Sequence, residues 1–291
     1  MNEPVFSGVA TALVTPFIHN GIDFPALERL LDLQMEASVP ALVISGTTGE
    51  ASTLSPEEKA ALWTYTVGYI NGRAKVIAGV GTNNTQSSIK LAQMAKKCGV
   101  DALLAVTPYY NKCSQEGLIT HYSAIADATE LPLILYNVPS RTGVNLLPET
   151  CRELCAHHRI AGVKEAGGNI SQAVKIRALC PDLPLWSGND DQIVPIMSLG
   201  GVGVISVLSN IRPKAVMEIT GACLQGDFEK AAQLQCRYLP LVEALFSDVN
   251  PVPVKAALSA MGLCGEDLRL PLTPLSAEKR KSLLIALESC P

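Results

Sequence analysis

One lysine interrupts an apolar stretch in Ile160-Ala161-Gly162-Val163-Lys164-Glu165-Ala166. An ammonium buried there without a partner would be costly, so two readings stand. Lys164 is either a strand-end lysine facing solvent or paired with Glu165, or a Schiff-base nucleophile. An exposed lysine amine is almost wholly protonated at neutral pH, and desolvation is what supplies the free amine that carbonyl addition needs. Tyr136, in Tyr136-Asn137-Val138-Pro139-Ser140-Arg141-Thr142-Gly143, is either a core tyrosine or a phenol that shuttles protons for carbinolamine formation and dehydration. The turn Gly46-Thr47-Thr48-Gly49-Glu50 offers backbone N–H groups and two hydroxyls, a nest suited to a small carboxylate. It is too short for a phosphate loop and lacks the Gly-Lys-Ser/Thr ending. Arg141 is a surface arginine by default, or a planar fork that clamps a second carboxylate. Taken together, these residues describe a site for two carboxylated substrates and an amine.

Elements of fixed kind must position them. Apolar runs at Gly8–Phe17, Ala41–Gly46, Lys75–Gly81, Ala102–Pro108, Leu131–Pro139, Ile160–Ala166, Leu183–Gly188 and Gly201–Val207 alternate with helix-like stretches. They are continuous rather than alternating, as parallel strands covered by helices should be. Asp23-Phe24-Pro25, Ser55-Pro56-Glu57-Glu58, Leu147-Pro148-Glu149 and Asn189-Asp190-Asp191 read as helix starts, and Gly99 after Lys96-Lys97 as a stop. Eight strands each followed by a helix predict an α/β fold, a (β/α)8 TIM barrel with a C-terminal helical extension. A doubly wound sheet competes, but no Gly-x-Gly-x-x-Gly follows the first strand. Helices are predicted over Pro213–Gly226, Asp227–Phe246, Pro253–Met261 and Ser276–Ser289. Residues 1–226 are therefore expected to carry the barrel and active site, and 227–291 the extension. In such barrels the site lies at the C-terminal strand ends, where the Gly46–Glu50, Tyr136–Gly143 and Lys164 segments fall, together with Thr107–Lys112.

Composition narrows the field. Across 291 residues, 48% are hydrophobic and 17% charged, enough for a large core, and the formal net charge of −4 gives no footprint for nucleic acid or an anionic membrane. The start, from Met1-Asn2 onward, lacks the basic and apolar regions of a signal peptide. No apolar run approaches the roughly 20 residues a bilayer span needs, so a cytoplasmic address is expected. The nine scattered cysteines contain no Cys-x-x-Cys pair and predict neither a disulfide framework nor a zinc site. Cys113, beside Lys112, is a candidate reactive thiol. His19, His121, His157 and His158 lack ligand spacing and read as surface or packing residues.

The Gly-Thr-Thr-Gly-Glu, Thr107-Pro108-Tyr109-Tyr110-Asn111-Lys112, Tyr136–Gly143 and Gly162–Ala166 segments, in this order, make the chain resemble the dihydrodipicolinate synthase branch of the pyruvate-dependent lyase superfamily, which includes N-acetylneuraminate lyase. The resemblance runs from Ala10–Phe17 to Asn250-Pro251-Val252-Pro253-Val254-Lys255 and Leu268–Leu272. It implies that Lys164 forms an imine with pyruvate, with Thr47, Tyr136 and Tyr110 as the proton relay and Tyr110 reaching into a neighbouring subunit. It further implies that Gly46, Thr48, the nearby backbone and Ile205 hold pyruvate, and that Arg141 holds the carboxylate of L-aspartate 4-semialdehyde. The imine is the electron sink, so no metal or organic cofactor is called for. A homo-oligomer follows, at least a dimer, with a tetramer built as a dimer of dimers suggested by the family.

The chain departs from lysine-inhibited members at one place. Their effector site carries His and Glu, whereas here the positions read Pro56, Lys59 and Ser87, with Asn83 and Tyr109 retained. A Lys in place of His repels the effector's cation, so weak or absent inhibition by lysine is expected. Two rival functions remain at this level. An N-acetylneuraminate lyase or 2-keto-3-deoxy sugar-acid aldolase would use the same lysine chemistry, but for N-acetylmannosamine it would leave Arg141 without a second carboxylate. A non-catalytic binding protein on the same barrel would be expected to lack the reactive lysine or the relay hydroxyls, all of which are present.

Overall fold

The computed structural model describes residues 3–290; Met1, Asn2 and Pro291, where the expected leader-free start and C-terminal extension begin and end, lie outside it. In chain order the elements are β1 (Gly8–Ala12), a two-stranded hairpin of β2 (Phe17–Ile18) and β3 (Gly21–Ile22), α1 (Phe24–Glu36), β4 (Ala41–Ile44), α2 (Pro56–Ile70), β5 (Lys75–Gly79), α3 (Thr85–Lys97), β6 (Ala102–Val106), α4 (Gln115–Asp127) and β7 (Leu133–Asn137). Then follow α5 (Pro139–Thr142), α6 (Pro148–Leu154), β8 (Ile160–Glu165), α7 (Ile170–Leu179), β9 (Leu185–Ser187), α8 (Ile193–Ser198), β10 (Gly203–Ser206), α9 (Pro213–Leu224), α10 (Phe228–Leu245), α11 (Val252–Ala260) and α12 (Ala277–Ser289).

β1 and β4 to β10 close into an eight-stranded, all-parallel barrel in which β1 pairs with both β4 and β10. This is the TIM barrel that the sequence predicts, with α10, α11 and α12 following it. The strands sort their side chains by parity, as a pleat requires. Ala10, Ala12, Val43, Ile77, Leu104, Ile134, Tyr136, Trp186 and Ile205 pack inside the barrel. Their neighbours Val9, Leu42, Leu103, Leu135, Val163 and Val204 pack outward in the larger cluster shared with the helices.

Helix starts follow the sequence signals. The Asp23 carboxylate accepts from Ala26 N–H at 3.0 Å, and Ser55 and Glu58 form a reciprocal capping box opening α2. Asp227 and Ser276 cap α10 and α12. Asn189 leads into a short 3-10 turn, with α8 starting only at Ile193.

The strands are shorter than expected at their C-terminal ends. The run Gly8–Phe17 yields a strand only to Ala12; Leu13 still donates to Val43 C=O at 3.0 Å, but Pro16 has no N–H to continue a ladder and Phe17 turns into the hairpin. Similarly, β7 stops at Asn137 and β9 spans only Leu185–Ser187. Beyond these points Leu13 and Val14 pack in the outer cluster and Val138 in the inner one. No helix among the described residues is long and apolar enough to cross a membrane.

Candidate active site

β8 carries Lys164 inward, on the parity of Ala166, and Glu165 outward. Lys164 is only 6% exposed. Its Cα is in register with Tyr136 on β7 and with Trp186 on β9, and its Nζ lies 4.2 Å from the Tyr136 ring centroid. The Lys164–Glu165 pair weighed from sequence does not form. The Glu165 carboxylate instead accepts from Asn137 Nδ2 at 3.0 Å, Gln172 Nε2 at 3.0 Å and Gly167 N–H at 2.6 Å. Burial pushes its pKa up against those three bonds. Gly188, the residue after β9, gives Lys164 its room: a Cβ there would come within 3.0 Å of Lys164 Cε and 2.5 Å of Ala166 Cβ.

A cavity of about 250 Å3 opens at the C-terminal ends of the strands, lined by Gly46, Thr47, Tyr109, Tyr136, Arg141 and Lys59 among others. Tyr136 forms part of its wall and is itself 7% exposed. Arg141 sits on α5, a single turn held by Thr142: Thr107 Oγ1 donates to Thr142 Oγ1 at 2.9 Å, and Thr142 Oγ1 donates to Val144 C=O at 3.0 Å. The Arg141 side chain is exposed and makes no hydrogen bond or ion pair among the described residues.

The Gly46–Glu50 turn is knotted by its own backbone. Gly49 and Ala51 N–H both donate to Gly46 C=O, and Thr15 Oγ1 donates to Gly49 C=O at 2.8 Å. Glu50, at φ 53°, closes the turn in a left-handed conformation that a non-glycine residue rarely adopts. Two contacts from distant sequence hold it there. Asn250 Nδ2 donates to Thr48 Oγ1 at 2.9 Å, and Lys255 Nζ donates to Glu50 Oε1 at 2.5 Å. The Glu50 and Lys255 side chains are 1% and 0% exposed. Arg269 adds its backbone N–H to Glu50 at 3.1 Å and forks onto Glu58 through both terminal nitrogens. The cations of Lys255 and Arg269 also lie over the Phe17 ring, at 4.2 and 4.3 Å from its centroid.

Thr47, Tyr136, Arg141 and Gly46 thus meet at one cavity, with Lys164 beside Tyr136. Ile205 packs on the barrel's inner face and is fully buried. Thr48 is buried and faces Asn250. Tyr110 stands apart: it is 89% exposed, at φ 75°, and is absent from the cavity wall of its own chain. The Thr47 and Tyr136 hydroxyls make no hydrogen bond among the described residues.

Several residues went unread in sequence. Asp190 was read as a helix start, yet it is 3% exposed, accepts from Val207 and Leu208 N–H at 3.0 and 2.9 Å, and leaves Oδ1 unpartnered. Burial pushes its carboxyl up, and Lys164 is near enough to oppose that. Asn250 and Lys255 lie in a segment that carries the family resemblance, yet nothing in the sequence points to their contacts with Thr48 and Glu50. His121 is a packing residue as expected, with Nδ1 at 2.9 Å from Thr85 Oγ1. Cys113 is half-buried and its thiol is pushed up by burial, the wrong direction for a reactive thiolate. No cluster of three or more His, Cys, Asp or Glu able to hold a metal ion forms among the described residues.

A model of the dihydrodipicolinate synthetase family matches residues 5–289. The 4-hydroxy-tetrahydrodipicolinate synthase of Alkaliphilus oremlandii is 50% identical over 281 residues, covering 96% of this chain and 97% of that one. Among solved structures, dihydrodipicolinate synthase from Thermotoga maritima aligns with a TM-score of 0.96 at 43% identity, covering 98% of this chain and 99% of that one. The Acinetobacter baumannii enzyme complexed with pyruvate aligns at 0.95 and 44% identity, covering 98% of each chain. By sequence over nearly its whole length, and by its barrel, this chain belongs to the dihydrodipicolinate synthetase family.

Proposed function

We propose that this protein is a class I aldolase-type lyase that condenses pyruvate with L-aspartate 4-semialdehyde to give 4-hydroxy-tetrahydrodipicolinate, in lysine and diaminopimelate biosynthesis. The observation that carries the reading is the buried Lys164 amine against the Tyr136 ring, with Tyr136 in turn lining a cavity shared with Arg141, which has no partner among the described residues.

In this reading the Lys164 Nζ adds to the pyruvate C2 carbonyl, and water leaves to give the imine. Loss of a methyl proton then gives the enamine, whose carbon attacks the semialdehyde carbonyl. The substrate's own amine displaces Lys164 in cyclising, so the enzyme returns unchanged. The imine withdraws the electrons, and no metal or organic cofactor is needed. Tyr136, Thr47 and Tyr110 move the protons. Tyr110 points away from its own cavity, so its relay role is served in a second copy of the chain. A homo-oligomer follows, and a tetramer is the family's precedent. Gly46, Thr48 and the nearby backbone, with Ile205, seat the pyruvate carboxylate, and Arg141 takes the carboxylate of the semialdehyde. Residues 1–226 act as the catalytic barrel and 227–291 as the helical extension that fastens the Gly46–Glu50 turn. The address is cytoplasmic.

The test is pyruvate consumption by pure enzyme with either L-aspartate 4-semialdehyde or N-acetylmannosamine, alongside borohydride trapping of pyruvate. Semialdehyde-dependent turnover with trapping on Lys164 supports the reading. Turnover with the sugar alone keeps the imine and removes the role given to Arg141. Absence of both turnover and trapping would leave a non-catalytic barrel.

A further inference from the structure

The last Cα partners of β4 and β5 are Ile44 and Ala78, and at the next residue Ser45 turns off the strand at φ 55°. Few non-glycine residues take that left-handed conformation, and one that does is held there by its surroundings. Ser45 is 1% exposed, directly precedes Gly46 and lines the cavity with it. Its conformation therefore sets the direction in which the Gly46–Glu50 turn leaves the barrel.

What holds Ser45 is a chain of two hydrogen bonds that starts on α2. Trp63, fully buried on that helix, donates its indole Nε1–H to Ser45 Oγ at 2.9 Å, and Ser45 Oγ donates to Gly79 C=O at 3.3 Å. The serine hydroxyl thus bridges helix and strand where the ladder has ended. An indole N–H removed from water needs an acceptor, and Ser45 supplies it. On the far side there is no slack: a Cβ on Gly79 would lie 2.2 Å from the Ser45 carbonyl oxygen and 3.0 Å from Gly46 N. The indole itself does not line the cavity; it packs in the outer cluster with Leu62 and Ile70 of the same helix.

We propose that Trp63 is a positioning residue for pyruvate: through the Ser45 hydroxyl it fixes the angle at which the Gly46–Glu50 turn meets the pyruvate carboxylate. The inference rests on the reaction proposed above and gives this task to a helix residue that touches no substrate. The effect falls on binding of pyruvate rather than on the imine chemistry, because β8, which carries Lys164, lies on the opposite side of the barrel from β4.

The test compares native protein with Trp63→Phe, Ser45→Ala and the double variant. Folding is checked by circular dichroism and melting temperature, and Ser45→Ala carries the test where the smaller Phe ring lowers stability. Two readouts are taken: the pyruvate concentration that half-saturates borohydride trapping, and steady-state kcat with the KM for each substrate. Either single variant is expected to raise the half-saturating pyruvate concentration and the pyruvate KM roughly three- to tenfold, the scale of one uncharged hydrogen bond. The kcat should stay within about twofold and the semialdehyde KM should not change. The double variant should match the worse single, since both substitutions cut one link. Native trapping with unchanged pyruvate saturation in both singles overturns the role of Trp63 alone. Multiplying losses in the double variant overturn it too, as does a fall in kcat with both KM values raised, which marks a general loosening of the barrel. Native protein that neither traps nor consumes pyruvate overturns the proposed reaction, and this role with it.

Discussion

Lys164 and Tyr136 are Cα partners across β8 and β7, and the lysine Nζ rests 4.2 Å from the tyrosine ring centroid. The register does this work: one step along β8 in either direction would turn the amine out among the helices. The face of a π ring favours a cation, so the ring holds the amine in place while the barrel keeps bulk water off it.

Replacing Lys164 tests that arrangement most directly. Lys164→Ala should lower kcat by about a thousandfold or more, since no other group can form the imine, while the circular dichroism spectrum is unchanged. Retained turnover above a tenth of native would remove Lys164 from the nucleophile's role.

Arg141 should act on the second substrate only. Arg141→Ala is expected to raise the KM for the semialdehyde by roughly 10- to 100-fold, the scale of one lost bidentate carboxylate contact, with borohydride trapping of pyruvate unaffected. A matching loss of pyruvate trapping would mean that Arg141 shapes the first half-reaction instead.

Tyr110 can be tested by mixing. Lys164→Ala and Tyr110→Phe are each expected to be nearly inactive alone. After unfolding and refolding together they should recover about a quarter of native activity, because random pairing makes half the dimers mixed and each mixed dimer has one complete site. No recovery would place the function of Tyr110 within its own chain.

Glu50 and Lys255 form an ion pair with both side chains out of water. Removing one partner leaves the other as an uncompensated buried charge, so Lys255→Met should cost about 3–5 kcal/mol in urea unfolding. The double variant Glu50→Gln, Lys255→Met should cost less than the sum of the two singles. Additive losses would show that the pair is not coupled.

Stability should fall in mild acid through His121. Burial holds its imidazole at about 4, against an ordinary 6.5. Between those values the unfolded chain takes up a proton that the folded one refuses. The stabilisation is therefore full above pH 6.5 and lost as pH falls towards 4, by up to about 3 kcal/mol. Glu165 and Asp190 are shifted upward by burial and act in the opposite sense, so the comparison must be native protein against His121→Gln. An identical pH slope in the variant would refute the assignment. Separately, millimolar L-lysine should leave turnover unchanged, because Lys59 repels its ammonium groups; strong inhibition would contradict that.

The barrel was legible because eight apolar runs alternate with capped helices, and Lys164 because a charge in such a run is conspicuous. Other features leave no local trace. The apolar runs continue past the regular ladder, so β1 and β7 are longer in the sequence reading than in the structure. Glu165 looked like a partner for Lys164 because the two are adjacent, although adjacency on a strand puts them on opposite faces. Lys255 and Asn250 carry no periodic signal for a contact made more than two hundred residues away. Lys59 reads in sequence as a cation where lysine-inhibited relatives carry His, and only the packed structure reveals that it is buried with no ion pair among the described residues.

The separation of 205 positions between Glu50 and Lys255 sets an order of events during translation. A ribosome delivers the chain from its N-terminus, so the barrel strands and the nest turn emerge well before α11. Until that helix arrives, Glu50 is a carboxylate with no cation and the turn it closes is unfastened. A nascent chain that has not yet delivered α11 must hold the turn without this ion pair.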